Sequence, residues 1–266
     1  GFVAGLIAVF DGVLLVTAKF GMLDVFQVFF IVAAAWTLAG DMREAHARMH
    51  HAQITGNFGP RLGFRWWRFA TGVLLGLTLS VKWSGLYALA AFGLMTVLWD
   101  VMARKRAGVS QPWSAGLVLR DGPYAFVAVC GAALVAYTAS WVGWFRSSGG
   151  YLRQWAVENP GEGVQWLPAP LRSLWEYHVR MYEFHLGLTS DHTYRSSPWS
   201  WPLQLRPTSF FYESKGLGEA GCEVEKCSKA INSVGSVSIW WAATLAFFVL
   251  LFWWVSQRDW RAGAIV

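Results

Sequence analysis

The sequence predicts an all-α polytopic membrane protein: a helical bundle with one long loop outside the bilayer. Three observations carry that prediction. Hydrophobic residues make up 55% of the 266-residue chain and charged residues only 14%, a balance suited to lipid as the main solvent. Tryptophan occurs 18 times, and indole rings collect at membrane–water interfaces. Long apolar runs also alternate with basic links. The net charge of +6 is spread along the chain, which argues against a nucleic-acid partner. No basic segment precedes the first apolar run, so no cleavable signal peptide is expected. That abrupt start, and the ending "RDWRAGAIV", suggest a piece of a longer membrane protein.

The apolar runs place helices near 1–18, 22–40, 69–81, 84–103, 122–145 and 238–256, within one membrane domain covering 1–266. The run 69–81 is short of the roughly 20 residues that cross the hydrocarbon. It pairs with 84–103 through a turn at Lys82-Trp83-Ser84-Gly85, or else 69–103 is one long tilted helix with a lysine inside it. The link 41–68 carries Arg43, Arg48, Arg61, Arg65 and Arg68. The link 104–121 carries Arg104, Lys105, Arg106 and Arg120, and the tail carries Arg258 and Arg261. The positive-inside rule puts these on the cytoplasmic side. The turns "TAKFGMLD" and "SVKWSGLY" then face outward together with 146–237.

Lys19 and Lys82, with Asp24 beside the first, therefore stand at outer helix ends beneath one large loop. A single lysine there can simply snorkel to the headgroups. Two lysines under a shared loop can hold the phosphate of a lipid-linked sugar, a contact that strengthens as charge builds on a departing phosphate. Within the loop, "APLRSLWEYHVRMYEFHLG" (169–187) opens with proline and stops at glycine. Leu171, Leu174, Trp175, His178, Met181, Tyr182 and His185 recur at helical spacing, so the segment predicts an amphipathic helix along the membrane interface. His178 and His185, two turns apart, and His192 beyond them have the wrong spacing for a helix-borne metal site, and hydrogen bonding within the loop or to a sugar suits them better. His46, His50 and His51 sit in an ordinary polar linker and receive no role. The stretch "DHTYRSSPWSWP" (191–202) joins a hydrogen-bonding half, His192, Tyr194 and Ser196, to a stiff apolar half, Trp199 and Trp201. Either it closes over a polar substrate, or its tryptophans belong to the interfacial belt. Cys222 and Cys227 can pair if their segment faces an oxidising compartment; Cys130 lies in an apolar run.

"DGVLLVTAKFGMLD", "GLTLSVKWSGLY", "LWEYHVRMYEFHLGL", "HTYRSSPWSWPLQLRPTSFFYE" and "CEVEKCSKAINSVGSVSIWW" occur in that order. The chain resembles the protein O-mannosyltransferases along nearly its whole length, in particular their actinobacterial branch. The resemblance implies a GT-C-type bundle whose third to eighth helices are those above. It implies inverting transfer of mannose from a polyprenyl-phosphate carrier in the bacterial plasma membrane to Ser or Thr of exported proteins, on the extracytoplasmic face. Lys19, Asp24 and Lys82 would then meet the donor phosphate, and His178, His185, His192, Tyr194, Ser196, Trp199 and Trp201 the substrates. The family's catalytic Asp-Glu pair falls upstream of Gly1, so no catalytic residue is expected among these 266. No cofactor follows from the residues. Residues 146–237 are too short for the β-trefoil insert of eukaryotic members. Two departures stand out: Lys19 replaces the usual arginine, losing a bidentate fork, and "NSVGSVSIWW" replaces the usual small-Asn-Pro. A GT-C enzyme for another lipid-linked sugar is the near alternative, and a secondary transporter the distant one.

Overall fold

The computed structural model describes residues 1–189, 195–258 and 262–263, and it is predominantly helical. In chain order run α1 (Phe2–Val9), α2 (Gly12–Lys19), α3 (Leu23–His51), α4 (Trp66–Val81), α5 (Gly85–Arg106), α6 (Gly122–Arg146) and α7 (Ala169–Gly187). An antiparallel hairpin of β1 (Thr208–Gly216) and β2 (Lys226–Ser233) follows, then α8 (Val237–Gln257). Among the described residues, α3, α5, α6 and α8 are long and apolar enough to cross a membrane. The α1–α2 pair, bent by 58° at its break, would make a fifth span. At 16 residues α4 is shorter. It stops at Lys82, whose backbone is extended (φ −158°, ψ 139°), so no continuous helix forms through 69–103.

These elements group into two compact units, Gly1–Val25 with Thr189–Val266, and Phe26–Leu188. In the Phe26–Leu188 unit, Ala34, Leu75 and Val129 form the fully buried centre, with Leu74, Ala88, Leu89 and Phe92 packed around it. Helices α4 and α6 approach at backbone distance because α4 carries glycine four residues apart. A Cβ on Gly72 would lie 2.4 Å from the Ala128 carbonyl oxygen, and one on Gly76 2.4 Å from that of Ala133. Small residues at this spacing let membrane helices pack without a hydrophobic driving force. Facing Gly72, residues 127–131 of α6 widen into a π turn.

The first arginine-rich link is corrected at its start. Helix α3 runs on to His51, eleven residues past the expected end at 40, because "DMREAHARMHH" contains neither glycine nor proline to stop it. Hydropathy set the expected boundary, whereas backbone propensity sets the real one. Arg65, Arg68 and Arg104 of the basic links are buried, each at 1% exposure or less. Arg65 donates from Nε and Nη2 to Asp41 and from Nη1 to Asp100, and Arg68 donates to the same two carboxylates. This neutral four-membered ring ties α3, the start of α4, and α5. Arg104 grips both Asp121 oxygens and the carbonyls of Phe58 and Pro60, fixing the loops on either side. Arg43, Arg61, Lys105 and Arg106 remain exposed.

In the other unit, Asp11 sits at the α1–α2 break. Its Oδ1 caps α2 by accepting from the N–H groups of Val13 (3.1 Å) and Leu14 (3.4 Å). Its Oδ2 accepts from Ser236 N–H (3.2 Å) and Trp240 Nε1 (2.9 Å), joining α2 to the start of α8. β2 packs along α2, and Phe20 stacks on Phe210 with ring centroids 5.0 Å apart. The hairpin is a feature the sequence reading did not anticipate.

Candidate functional site

Lys82 lies in the three-residue turn between α4 and α5, and two sets of contacts hold that turn. From α3, the buried Gln27 donates its amide N–H to the Lys82 carbonyl (3.2 Å) and to Ser84 Oγ (2.9 Å), while Ser84 returns its hydroxyl to Gln27 Oε1 (3.2 Å). From α7, both histidines stack on Trp83, His178 at 5.7 Å and His185 at 6.3 Å between ring centroids. Residues seven apart rise about 10.5 Å along a helix, and the two separations together barely exceed that rise. The Trp83 indole therefore lies between the two imidazoles. This is what their two-turn spacing accomplishes.

Each histidine directs Nδ1 at a carbonyl one turn back, Leu174 for His178 and Met181 for His185, both at 2.7 Å. A carbonyl only accepts, so Nδ1 carries the proton, and in the neutral ring Nε2 of His178 accepts from Tyr137 Oη at 2.6 Å. Trp83 Nε1 donates to the same hydroxyl at 3.2 Å. A cleft of about 270 Å³ opens beside this group, lined by Leu79, Ser80, Val81, Trp83, Tyr137, Ser140, Trp141 and Met181. Helix α7 spans the range read from its sequence. Trp175 and Tyr182 point outward, as does much of His185, while Ser173 is buried and accepts from Ala156 N–H.

Lys19 is exposed in the last turn of α2. The helix ends in a Schellman motif: Met22 N–H returns to Thr17 O (3.0 Å) and Gly21 N–H to Ala18 O (3.1 Å), with Gly21 at φ +62°. Asp24 lies in the first turn of α3, the favourable end for a carboxylate. Ser196 shares a hydrogen bond with Ser200 (3.1 Å) across the short turn Pro198–Ser200. Trp199 and Trp201 are 91% and 55% exposed. What holds this stretch is its backbone: the Pro202 and Leu203 carbonyls accept from Thr244 and Trp241 of α8. His192 and Tyr194 lie outside the described residues. Cys222 and Cys227 are joined in a disulfide that closes the hairpin end. Among the described residues, no three His, Cys, Asp or Glu side chains gather as a metal site.

A family profile described as dolichyl-phosphate-mannose-protein mannosyltransferase matches residues 1–112, and one for the C-terminal four-transmembrane region of protein-O-mannosyltransferase matches 170–264. The polyprenol-phosphate-mannose–protein mannosyltransferase of Mycolicibacterium smegmatis strain MKD8 is 40% identical over 277 residues, covering 100% of this chain and 53% of its own. The chain belongs to the protein O-mannosyltransferase family. The Corynebacterium glutamicum mannosyltransferase is 41% identical over 90% of the chain and 48% of its own length. That of Mycobacterium tuberculosis strain H37Rv is 37% identical over 100% and 52%. The chain thus spans about half the length of these curated relatives. No solved structure matches it with significance.

The expected family and the expected long apolar helices thus hold for this chain. Sequence reasoning missed Gln27, Tyr137 and Asp11 as organising residues. Gln27 and Asp11 did leave a signal, being lone polar side chains inside apolar runs. Such groups are costly in a membrane unless they have a partner.

Proposed function

We propose that this chain is part of an enzyme that transfers mannose from polyprenyl-phosphate-mannose to Ser or Thr hydroxyls of exported proteins, inverting the sugar carbon. The observation that supports the reading is identity of 37–41%, over 90–100% of this chain, with relatives named polyprenol-phosphate-mannose–protein mannosyltransferases. In the reaction, the acceptor oxygen bonds to the anomeric carbon as the carbon–oxygen bond to phosphate breaks. The hydroxyl proton passes to a base, and polyprenyl phosphate leaves with the electron pair. A cation about 4 Å from that phosphate, at an effective dielectric near 20, contributes roughly 4 kcal/mol before desolvation. Lys19 and Lys82 are the lysines assigned to this contact, with Asp24 beside the first. The acceptor and sugar meet the stretch 191–202 and α7. The site faces the extracytoplasmic side of a bacterial plasma membrane.

The test uses the full-length protein in membrane vesicles, given polyprenyl-phosphate-mannose and a Ser/Thr-rich peptide. A mass increase of one hexose on the peptide hydroxyls is expected. Polyprenyl phosphates of other sugars should neither transfer nor compete. Preferential transfer of another sugar would make the chain a GT-C transferase of different donor specificity.

A further inference from the structure

We infer that Gln27, Tyr137 and His178 are positioning residues for the donor phosphate, acting through the turn that carries Lys82. The inference rests on the assignment of Lys82 to that phosphate. A lysine stem is flexible, so the backbone from which it projects decides how little freedom remains to be lost on binding. The Lys82-Trp83-Ser84 turn is held at each of its residues. Gln27 donates to the Lys82 carbonyl at 3.2 Å and exchanges hydrogen bonds with Ser84. Trp83 is held between two imidazoles and donates to Tyr137 Oη, which His178 Nε2 engages from the other side. Three helices, α3, α6 and α7, thus converge on one tripeptide.

General stabilisation accounts poorly for the chemistry chosen. Gln27 is a buried amide on a helix apolar enough to span a membrane, and it directs its hydrogen bonds to a turn rather than along its own helix. The Nδ1 bonds of both histidines to their own helix set the planes of their rings. His178 is thereby aimed at Tyr137 before any ligand arrives. Such preorganisation keeps a cation where phosphate charge develops without reorganisation during the reaction.

The experiment uses the full-length enzyme in membranes, with donor and acceptor concentrations varied separately. Gln27→Ala and His178→Ala should each raise the donor KM about tenfold and leave the acceptor-peptide KM unchanged. His178→Gln, whose amide oxygen can still accept from Tyr137, should restore most of the loss. In a Lys82→Ala background, His178→Ala should add no further rise, because the residue acts only through Lys82. Where His178→Ala fails to accumulate, Trp83→Phe keeps a smaller aromatic ring to stack, loses the N–H to Tyr137, and should show the same selective rise. If Lys82→Ala raises the donor KM while Gln27→Ala and His178→Ala leave it at the parent value, the positioning role is wrong and the phosphate assignment stands. A rise in the double variant equal to the product of the single effects also overturns it. An unchanged donor KM in Lys82→Ala removes the phosphate assignment and this inference together.

Discussion

Arg65 grips Asp41 through two parallel hydrogen bonds, Nε to Oδ1 at 2.7 Å and Nη2 to Oδ2 at 2.5 Å, with both side chains only 2% exposed. The same guanidinium reaches Asp100 at 2.8 Å, and Arg68 closes the ring to Asp100 at 2.6 Å. Charges so deeply buried are tolerated because each has an opposite partner, Arg65 and Asp41 in bidentate geometry.

Removing one member should therefore be costly. Asp100→Ala leaves two guanidinium groups sharing one carboxylate, and breaking a buried pair this way costs about 3–5 kcal/mol. A marked fall in the thermal midpoint of the detergent-solubilised protein is expected, together with low membrane yield. A midpoint equal to the parent's would mean that the ring does not hold α3, α4 and α5 together.

Lys19 presents one ammonium at the C-terminal end of α2. Lys19→Ala in the full-length enzyme should raise the donor KM about tenfold, equivalent to about 1.4 kcal/mol of donor binding. Lys19→Arg should be accepted or should tighten binding, since arginine adds a bidentate fork. Donor kinetics unchanged in Lys19→Ala would make this a lysine that only snorkels.

Orientation is tested by single cysteines labelled with a membrane-impermeant maleimide, read against the parent protein. Trp166→Cys, on a ring 83% exposed in the long loop, should be labelled from outside. Arg61→Cys and Lys105→Cys, at exposed positions in the basic links, should react only after the membrane is opened. External labelling at Lys105→Cys would invert the topology.

The Cys222–Cys227 disulfide closes a loop of sequence separation 5. By chain entropy a ring this small stabilises its hairpin by roughly 2 kcal/mol. Intact-mass analysis after alkylation without reductant should show neither thiol modified. Cys222→Ser should make the 217–225 turn more sensitive to protease. Two alkylated thiols in the unreduced protein would refute the pairing in its native compartment.

His192 belongs to the stretch read as the polar half of the substrate loop. His192→Ala should lower kcat/KM between about tenfold and a hundredfold, with membrane yield preserved. Parent-like turnover in both His192→Ala and Tyr194→Phe would leave the stretch with an anchoring role alone.

The sequence by itself determined the membrane class, the broad position of the apolar helices, the extent of α7 and the family. Apolar composition and helical periodicity are local properties, and family motifs are strings, so all can be read without knowing what touches what. The purpose of His178 and His185 was not legible in that way. Their spacing declared one helix face, but the indole between them comes from a turn about a hundred residues earlier in the chain. In the sequence, Arg65, Arg68 and Arg104 counted only as positive charges marking the cytoplasmic links. The tertiary structure decided that they are buried, by bringing Asp41, Asp100 and Asp121 within 2.5–3.1 Å of them. The hairpin likewise depends on pairing partners ten or more residues apart, which no period within either strand reveals. Local pattern reports the cost of exposing a side chain, whereas a buried polar group is placed by a partner distant in sequence.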